Sequence, residues 1–147
     1  MESEAHLVRV AQSIQQSLNN PPNKKTIAGI ESGERTISGW KEIEGYTQAT
    51  DIVIAKCQEI GHQLKLAGPL DKGVPGRYNA SHAEKQISVL HPNQPIGVSS
   101  EMCADCQEYF KALVCHTGNI QVVADPKAVR IFRPDGSVDE LANIPDM

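Results

Sequence analysis

Apolar residues recur at helical spacing over residues 2–18, where Leu7, Val10, Ala11, Ile14 and Leu18 fall on one face of an amphipathic helix. The run Asn19-Asn20-Pro21-Pro22-Asn23 stops it. Residues 26–30 and 35–40 are short β-like runs on either side of Glu31-Ser32-Gly33-Glu34, the pattern of a β-hairpin. Residues 40–50 are ambiguous, and Gly45 weakens any helix there. The spacing then predicts a helix over residues 50–66, with Ile52, Ala55, Ile60 and Leu64 among its apolar positions and Thr50 or Asp51 as cap. Residues 68–78 are rich in Gly and Pro and read as a loop.

A second part of the chain alternates helix and strand. A helix over residues 81–90 ends in His91-Pro92-Asn93-Gln94-Pro95, because proline cannot continue a helix. Residues 96–99 make a short strand, and residues 103–115 a helix closed by Thr117-Gly118-Asn119. The runs 120–124 and 128–132 are strands separated only by Asp125-Pro126-Lys127. A parallel crossover needs a dozen residues or more, so these two are antiparallel neighbours if paired. Residues 133–137 form a turn, and the tail is a short strand or loose. The class is α/β.

Composition narrows this only a little. At 147 residues and 16.0 kDa the chain is one domain, 1–147, with room for a real core. No apolar run reaches membrane-spanning length, and MESEAHLVRV lacks a signal-peptide pattern, so a soluble domain is expected. The formal charge of −4 speaks against a tight general binder of nucleic acid. It leaves room for a locally basic cleft, since local field matters more than the sum.

The chemistry is concentrated in residues 81–106, SHAEKQISVLHPNQPIGVSSEMCADC. This stretch holds His82-x-Glu84 and Cys103-x-x-Cys106, one imidazole and two thiols with a carboxylate nearby. Three protein ligands on zinc leave one tetrahedral position open, the mark of a catalytic site. Spacing supports their convergence. The helix from Ser81 carries the chain roughly 15 Å away, and the strand with its flanks returns it by a similar distance, roughly 15 Å. The helix opening at Cys103 then starts beside the first one's N-terminus, and both N-termini favour thiolate and hydroxide.

Other readings of the same letters exist. Ser81-x-x-Glu84 is also a capping box. Cys-x-x-Cys is also a redox pair or half of a structural zinc site, with Cys57, His91, Cys115 and His116 as fourth ligands. Cys115 lies nine residues past Cys106 on one helix, roughly 13 Å along its axis, and His91 sits at the far end of the other. Cys57 stands in a separate apolar segment and reads as a buried thiol. The open site is the favoured reading.

With SHAEKQ and CADC as they stand, the chain resembles the zinc-dependent deaminases of the cytidine deaminase superfamily. Those two forms are most similar to the compact deaminase domains of bacterial toxins and their eukaryotic relatives. The resemblance implies a three-layer α/β/α fold around a mixed sheet of about five strands, the last two antiparallel. It implies a core of about residues 26–133, with the N-terminal helix 2–18 before it and the helix at about 50–66 as an addition. The absence of a helix between the last two strands is shared with free-cytidine deaminases and many toxin deaminases. One position departs from the pattern: Met102 stands where the family usually has a proline that presets the helix entry.

What the resemblance implies for function is specific. Zn2+ held by His82, Cys103 and Cys106 activates a water, and Glu84 carries its proton to the ring nitrogen and the leaving ammonia. Attack at C4 of cytosine gives uracil, and attack at C6 of adenine gives hypoxanthine. Candidate substrate contacts are Tyr78, Asn79, Ser99, Ser100 and Glu101, with Lys72, Arg77 and Lys85 for phosphates. Trp40, Tyr78 and Tyr109 are candidates to stack on a base, although Tyr109 and Phe110 lie on a helix that suits the core. The expected substrate is cytosine in single-stranded nucleic acid, DNA or RNA, for a toxin- or mutator-type effector with a possible immunity protein and no membrane partner. Such a domain is the delivered C-terminal part of a secreted toxin, or else cytoplasmic. A free cytidine or nucleobase deaminase of salvage metabolism and a non-enzymatic zinc module are the alternatives.

Overall fold

The structure is a computed structural model that describes residues 3–18, 21 and 25–143. Glu2 and most of the Asn19–Asn23 stop lie outside the described residues. Helix α1, Glu4–Ser17, is capped by Ser3, whose Oγ accepts the His6 N–H. Strands β1 (Ile27–Gly29) and β2 (Arg35–Ile37) form the expected hairpin. Helix α2 (Thr50–Ile60), a 3-10 turn (Gly68–Asp71) and a short helix α3 (Arg77–Ala80) follow. Helix α4 (Ala83–Leu90), strand β3 (Ile96–Val98) and helix α5 (Ala104–Thr117) carry the motif. Strands β4 (Gln121–Ala124), β5 (Ala128–Phe132) and β6 (Val138–Ala142) end the described chain.

The six strands form one sheet in the order β2-β1-β3-β4-β5-β6. Only β3 and β4 are parallel, joined by α5 as the crossover that a parallel pair requires. The β4–β5 pair is antiparallel, as the three-residue connection dictates. The strand count exceeds the expected five or so because the tail orders as β6, paired with β5 from Ala128↔Ala142 to Phe132↔Val138. Its side chains are mostly exposed, so pairing rather than burial makes it a strand, and no apolar alternation announced it.

Alternation on the strands builds the layers. Val122, Ala124, Val129 and Ile131 face α1, where Ala11 meets them. Val98, Val123 and Phe132 turn to the other face and pack with Ile87 of α4 and Tyr109, Phe110 and Val114 of α5. The result is the three-layer α/β/α arrangement, with α2 packed outside α4 and α5. At Gly97 the approach of α1 is so close that a Cβ would lie 2.4 Å from the Gln15 nitrogen. Only glycine lets the helix backbone rest on β3 there.

One boundary and one loop differ from expectation. Helix α2 ends at Ile60, not near residue 66, because Gly61 takes φ 77° and the His62 N–H bonds back to the Cys57 carbonyl. The freed segment then uses its backbone elsewhere: the Lys65 N–H donates to Asp105 and the Lys65 carbonyl accepts from Asn79. The Gly/Pro-rich loop is also more ordered than its composition suggests. The buried Asp71 carboxylate accepts the Ala67, Gly76 and Tyr78 N–H groups and folds the loop around itself. No helix among the described residues is long and apolar enough to cross a membrane.

Candidate active site

Helices α4 and α5 begin side by side, and their N-caps are the ligand candidates His82 and Cys103, both in extended backbone. His82 Nδ1 lies 3.2 Å from Cys106 Sγ and 3.4 Å from Cys103 Sγ. The three donor atoms all fall within 4.8 Å of one another. Zinc bond lengths of about 2.3 Å to sulfur and 2.1 Å to nitrogen place tetrahedral donors roughly 3.6–3.8 Å apart. The donor set and its spacing therefore fit a zinc ion.

None of the alternative fourth ligands reaches this group. Cys57 lies on α2 with its side chain in the core, and burial pushes its thiol pKa up to about 11. Cys115 is exposed at the far end of α5 and faces the Pro134 carbonyl. His91 pairs with Glu34, and His116 sits 3.6 Å from Glu59. Among the described residues no second cluster of this kind forms.

Glu84 is the second residue of α4 and does not close a capping box. His82, not Ser81, is the N-cap, and the Ser81 hydroxyl donates to the Tyr78 carbonyl at 2.7 Å. The Glu84 carboxyl instead lines a small cavity of about 80 Å³ together with His82, Cys103, Thr26, Ser38, Ser100 and Glu101. It is 3 % exposed. Burial raises its pKa, against the pull of His82, its own N–H and Lys85. A carboxyl held up in this way suits general acid–base work near neutral pH.

The charges beneath the ligands are arranged to oppose this burial. The hydrogen bond with Cys106, reinforced by the His82 ring, brings the Cys103 thiol pKa down to about 3, whereas burial holds the Cys106 thiol up. Lys85 is fully buried, its ammonium bonded to Asp105 and, at 2.8 Å, to the Asn79 carbonyl. Burial draws its pKa down, but the charges of Cys106 and Asp105 outweigh that and keep it charged. Asp105 is fixed in turn by the Lys65 N–H at 3.0 Å and by His62. A buried cation thus sits beside the thiols as their counter-charge.

This placement corrects several expectations. Lys85 is not open to a phosphate, because its side chain is internal and engaged. Asn79 is a second support, with its carbonyl on Lys85 and its amide on the Lys65 carbonyl. Tyr109 belongs to the core, its hydroxyl 2.8 Å from Ser88 Oγ, so it is no stacking platform. Ser99 Oγ accepts the Ile27 N–H, which leaves Ser100 and Glu101 of that trio at the cavity. Tyr78 is 41 % exposed, its ring edge-on to His82 at 5.6 Å. Lys72 is exposed, and Arg77 donates to its carbonyl at 3.0 Å. Thr26 and Ser38 complete the cavity, and nothing in their local sequence marks them, since the β1–β2 hairpin brings them there.

The departure at Met102 has a structural counterpart. Its N–H donates to Asp125 Oδ2 at 3.0 Å, a bond that proline cannot make. Asp125 also accepts the Lys127 and Ala128 N–H groups and pairs with Arg130 at 2.6 Å, so it clamps the approach to Cys103. Burial pushes Asp125 up, but these donors together hold its carboxyl below the usual range. With a pKa depressed on folding, the stabilisation is complete above the unfolded value and fades as pH falls toward the folded one. Met102→Pro is therefore expected to lower, not raise, the melting temperature. Presetting the backbone gains about 0.4–1 kcal/mol where the N–H is free, but losing a bond to a buried carboxylate costs about 1.5–3 kcal/mol. A Met102→Pro protein that melts higher and holds zinc as well against a chelator would show that the clamp contributes nothing.

Residues 35–88 match the family model described as single-strand DNA deaminase toxin A, C-terminal. The match runs from β2 into α4 and takes in His82 and Glu84, while the two cysteines that the fold brings to them lie beyond it. No curated protein matches the chain. The chain thus resembles a toxin-type deaminase domain and carries a His/Cys/Cys group that fits zinc, as SHAEKQ and CADC predict.

Proposed function

We propose that this domain is a zinc-dependent deaminase that converts cytosine to uracil in single-stranded DNA, as the effector domain of a toxin. One observation carries the reading: Glu84, buried and without a structural capping role, shares a small cavity with His82 and Cys103. When bound, zinc supplies Lewis-acid chemistry that lowers the pKa of a water toward neutrality. His82, Cys103 and Cys106 would hold the ion, and His82 and Cys103 also line the cavity that would take the reactants. Glu84 accepts the proton of the attacking water, passes it to the ring nitrogen, and helps to protonate the departing amine. One water is consumed and one ammonia leaves. DNA as substrate is supported by the family match, and cytosine by the superfamily resemblance. The toxin reading extends to a partner as well, an immunity protein in the cell that makes the domain.

The test offers zinc-loaded protein single-stranded DNA, duplex DNA, RNA and free cytidine, and reads uracil by sequencing or chromatography. Uracil in single-stranded DNA is the expected result. Conversion of free cytidine alone would transfer the domain to salvage metabolism, and conversion of adenine alone would replace the base assignment. No conversion of any base at full zinc occupancy would leave a non-enzymatic zinc module.

A further inference from the structure

Beside the cavity with Glu84 lies a groove of about 700 Å³ that shares Thr26, Ser38 and His82 with it. One wall comes from the segment after β2, with Trp40, Lys41 and Ile43, and the other from the stretch around the 3-10 turn, with Leu70, Lys72 and Tyr78. The chain has a formal charge of −4, yet Lys25, Lys41 and Lys72 line this groove, and among the described residues no carboxylate does. Its apolar surface is also uncovered: Leu70 is 53 % and Tyr78 41 % exposed. An uncovered aromatic and aliphatic floor edged by ammonium groups is the surface that a strand of unpaired nucleotides needs.

Arg77 explains how the groove keeps its shape. Its guanidinium lies 4.6 Å from the Trp40 ring centroid and donates to the Lys72 carbonyl at 3.0 Å. It lines a separate hollow behind Trp40 and is not part of the groove wall. Arg77 thus braces the indole on one wall and the backbone of Lys72, at φ 51°, on the other. Tyr78, edge-on to His82, joins the groove to the ligand group.

We propose that this groove seats the nucleotides next to the target base, with Trp40 and Tyr78 stacking on bases and Lys41 and Lys72 meeting phosphates. This rests on the DNA-deaminase reading and adds a cause for its strand preference. Bases in a duplex have both faces covered and cannot stack on Trp40, so the groove admits unpaired strands only. Arg77 is a positioning residue here.

Trp40 is the single tryptophan of the chain, so its fluorescence reports on the groove directly. An oligonucleotide of thymidines alone separates binding from chemistry, since it offers no cytosine to convert. Titrating it into zinc-loaded protein is expected to quench the tryptophan, and a duplex of the same length to leave it unchanged. Trp40→Ala and Tyr78→Ala are expected to weaken binding, read by anisotropy, by roughly five- to a hundredfold, with Trp40→Phe retaining most of it. Lys41→Ala and Lys72→Ala are each expected to reduce the slope of log affinity against log salt by about 0.7, a readout that a merely structural role does not move. Unchanged zinc content certifies each variant as folded.

Binding without quenching, with slopes unaltered in the lysine variants, would overturn the groove even if the protein deaminates DNA. Equal quenching by the duplex would overturn it too. Quenching and reduced slopes in a protein that converts no base would sustain the groove as a single-strand site while the deaminase reading fell.

Discussion

Glu84→Gln yields a folded, zinc-loaded protein whose turnover falls by roughly 10²–10⁴-fold, the range that a positioned general acid–base supplies. The replacement keeps shape and hydrogen-bonding capacity but cannot carry a proton. Stability should not suffer, because burial disfavours the charged form of the Glu84 carboxyl and glutamine keeps an oxygen for the same backbone N–H. The melting temperature is therefore expected to stay level or rise, the usual trade between activity and stability at a reactive site. A capping role predicts the reverse, a destabilised helix α4 with chemistry intact. Measuring uracil formation, zinc content and thermal melting on one preparation separates the two. An active Glu84→Gln enzyme would remove this residue from the mechanism.

Cys106→Ala strips the protein of its metal and a large part of its stability. Cys106 is fully buried at the first turn of α5, with His82 Nδ1 at 3.2 Å, so its sulfur is central to the ligand group. Removing it leaves two donors, too few for a tight zinc site, and takes away the sulfur that would face the buried Lys85 ammonium as a zinc-bound thiolate. Metal binding is coupled to folding, so the melting temperature drops with the zinc content. Wild-type protein treated with a strong chelator is expected to fall toward the same temperature, while the variant no longer responds to chelator. Cys103→Ala should behave alike. Cys115→Ala, on an exposed thiol at the other end of the helix, should change neither quantity. Unchanged zinc stoichiometry in either ligand variant would contradict the assignment.

Interactions between neighbours along the chain were legible before any coordinates. Proline and glycine punctuation sets α4, β3 and α5, and a three-residue link sets β4 against β5. Because helix and strand rise by known amounts, the convergence of His82 with Cys103 and Cys106 followed from counting residues. Features held by partners far away in sequence were not legible in this way. Lys85 reads as a surface charge until Asp105 and the Asn79 carbonyl are found to enclose it, because the sign of a charge says nothing of its burial. Met102 reads as a defect until Asp125 is found to accept its N–H. The sixth strand and the lysine-edged groove belong to the same class, since each depends on surfaces that meet only after the chain has closed. Local rules bring His82, Cys103 and Cys106 together, and long-range packing decides what surrounds them and shapes the groove beside them.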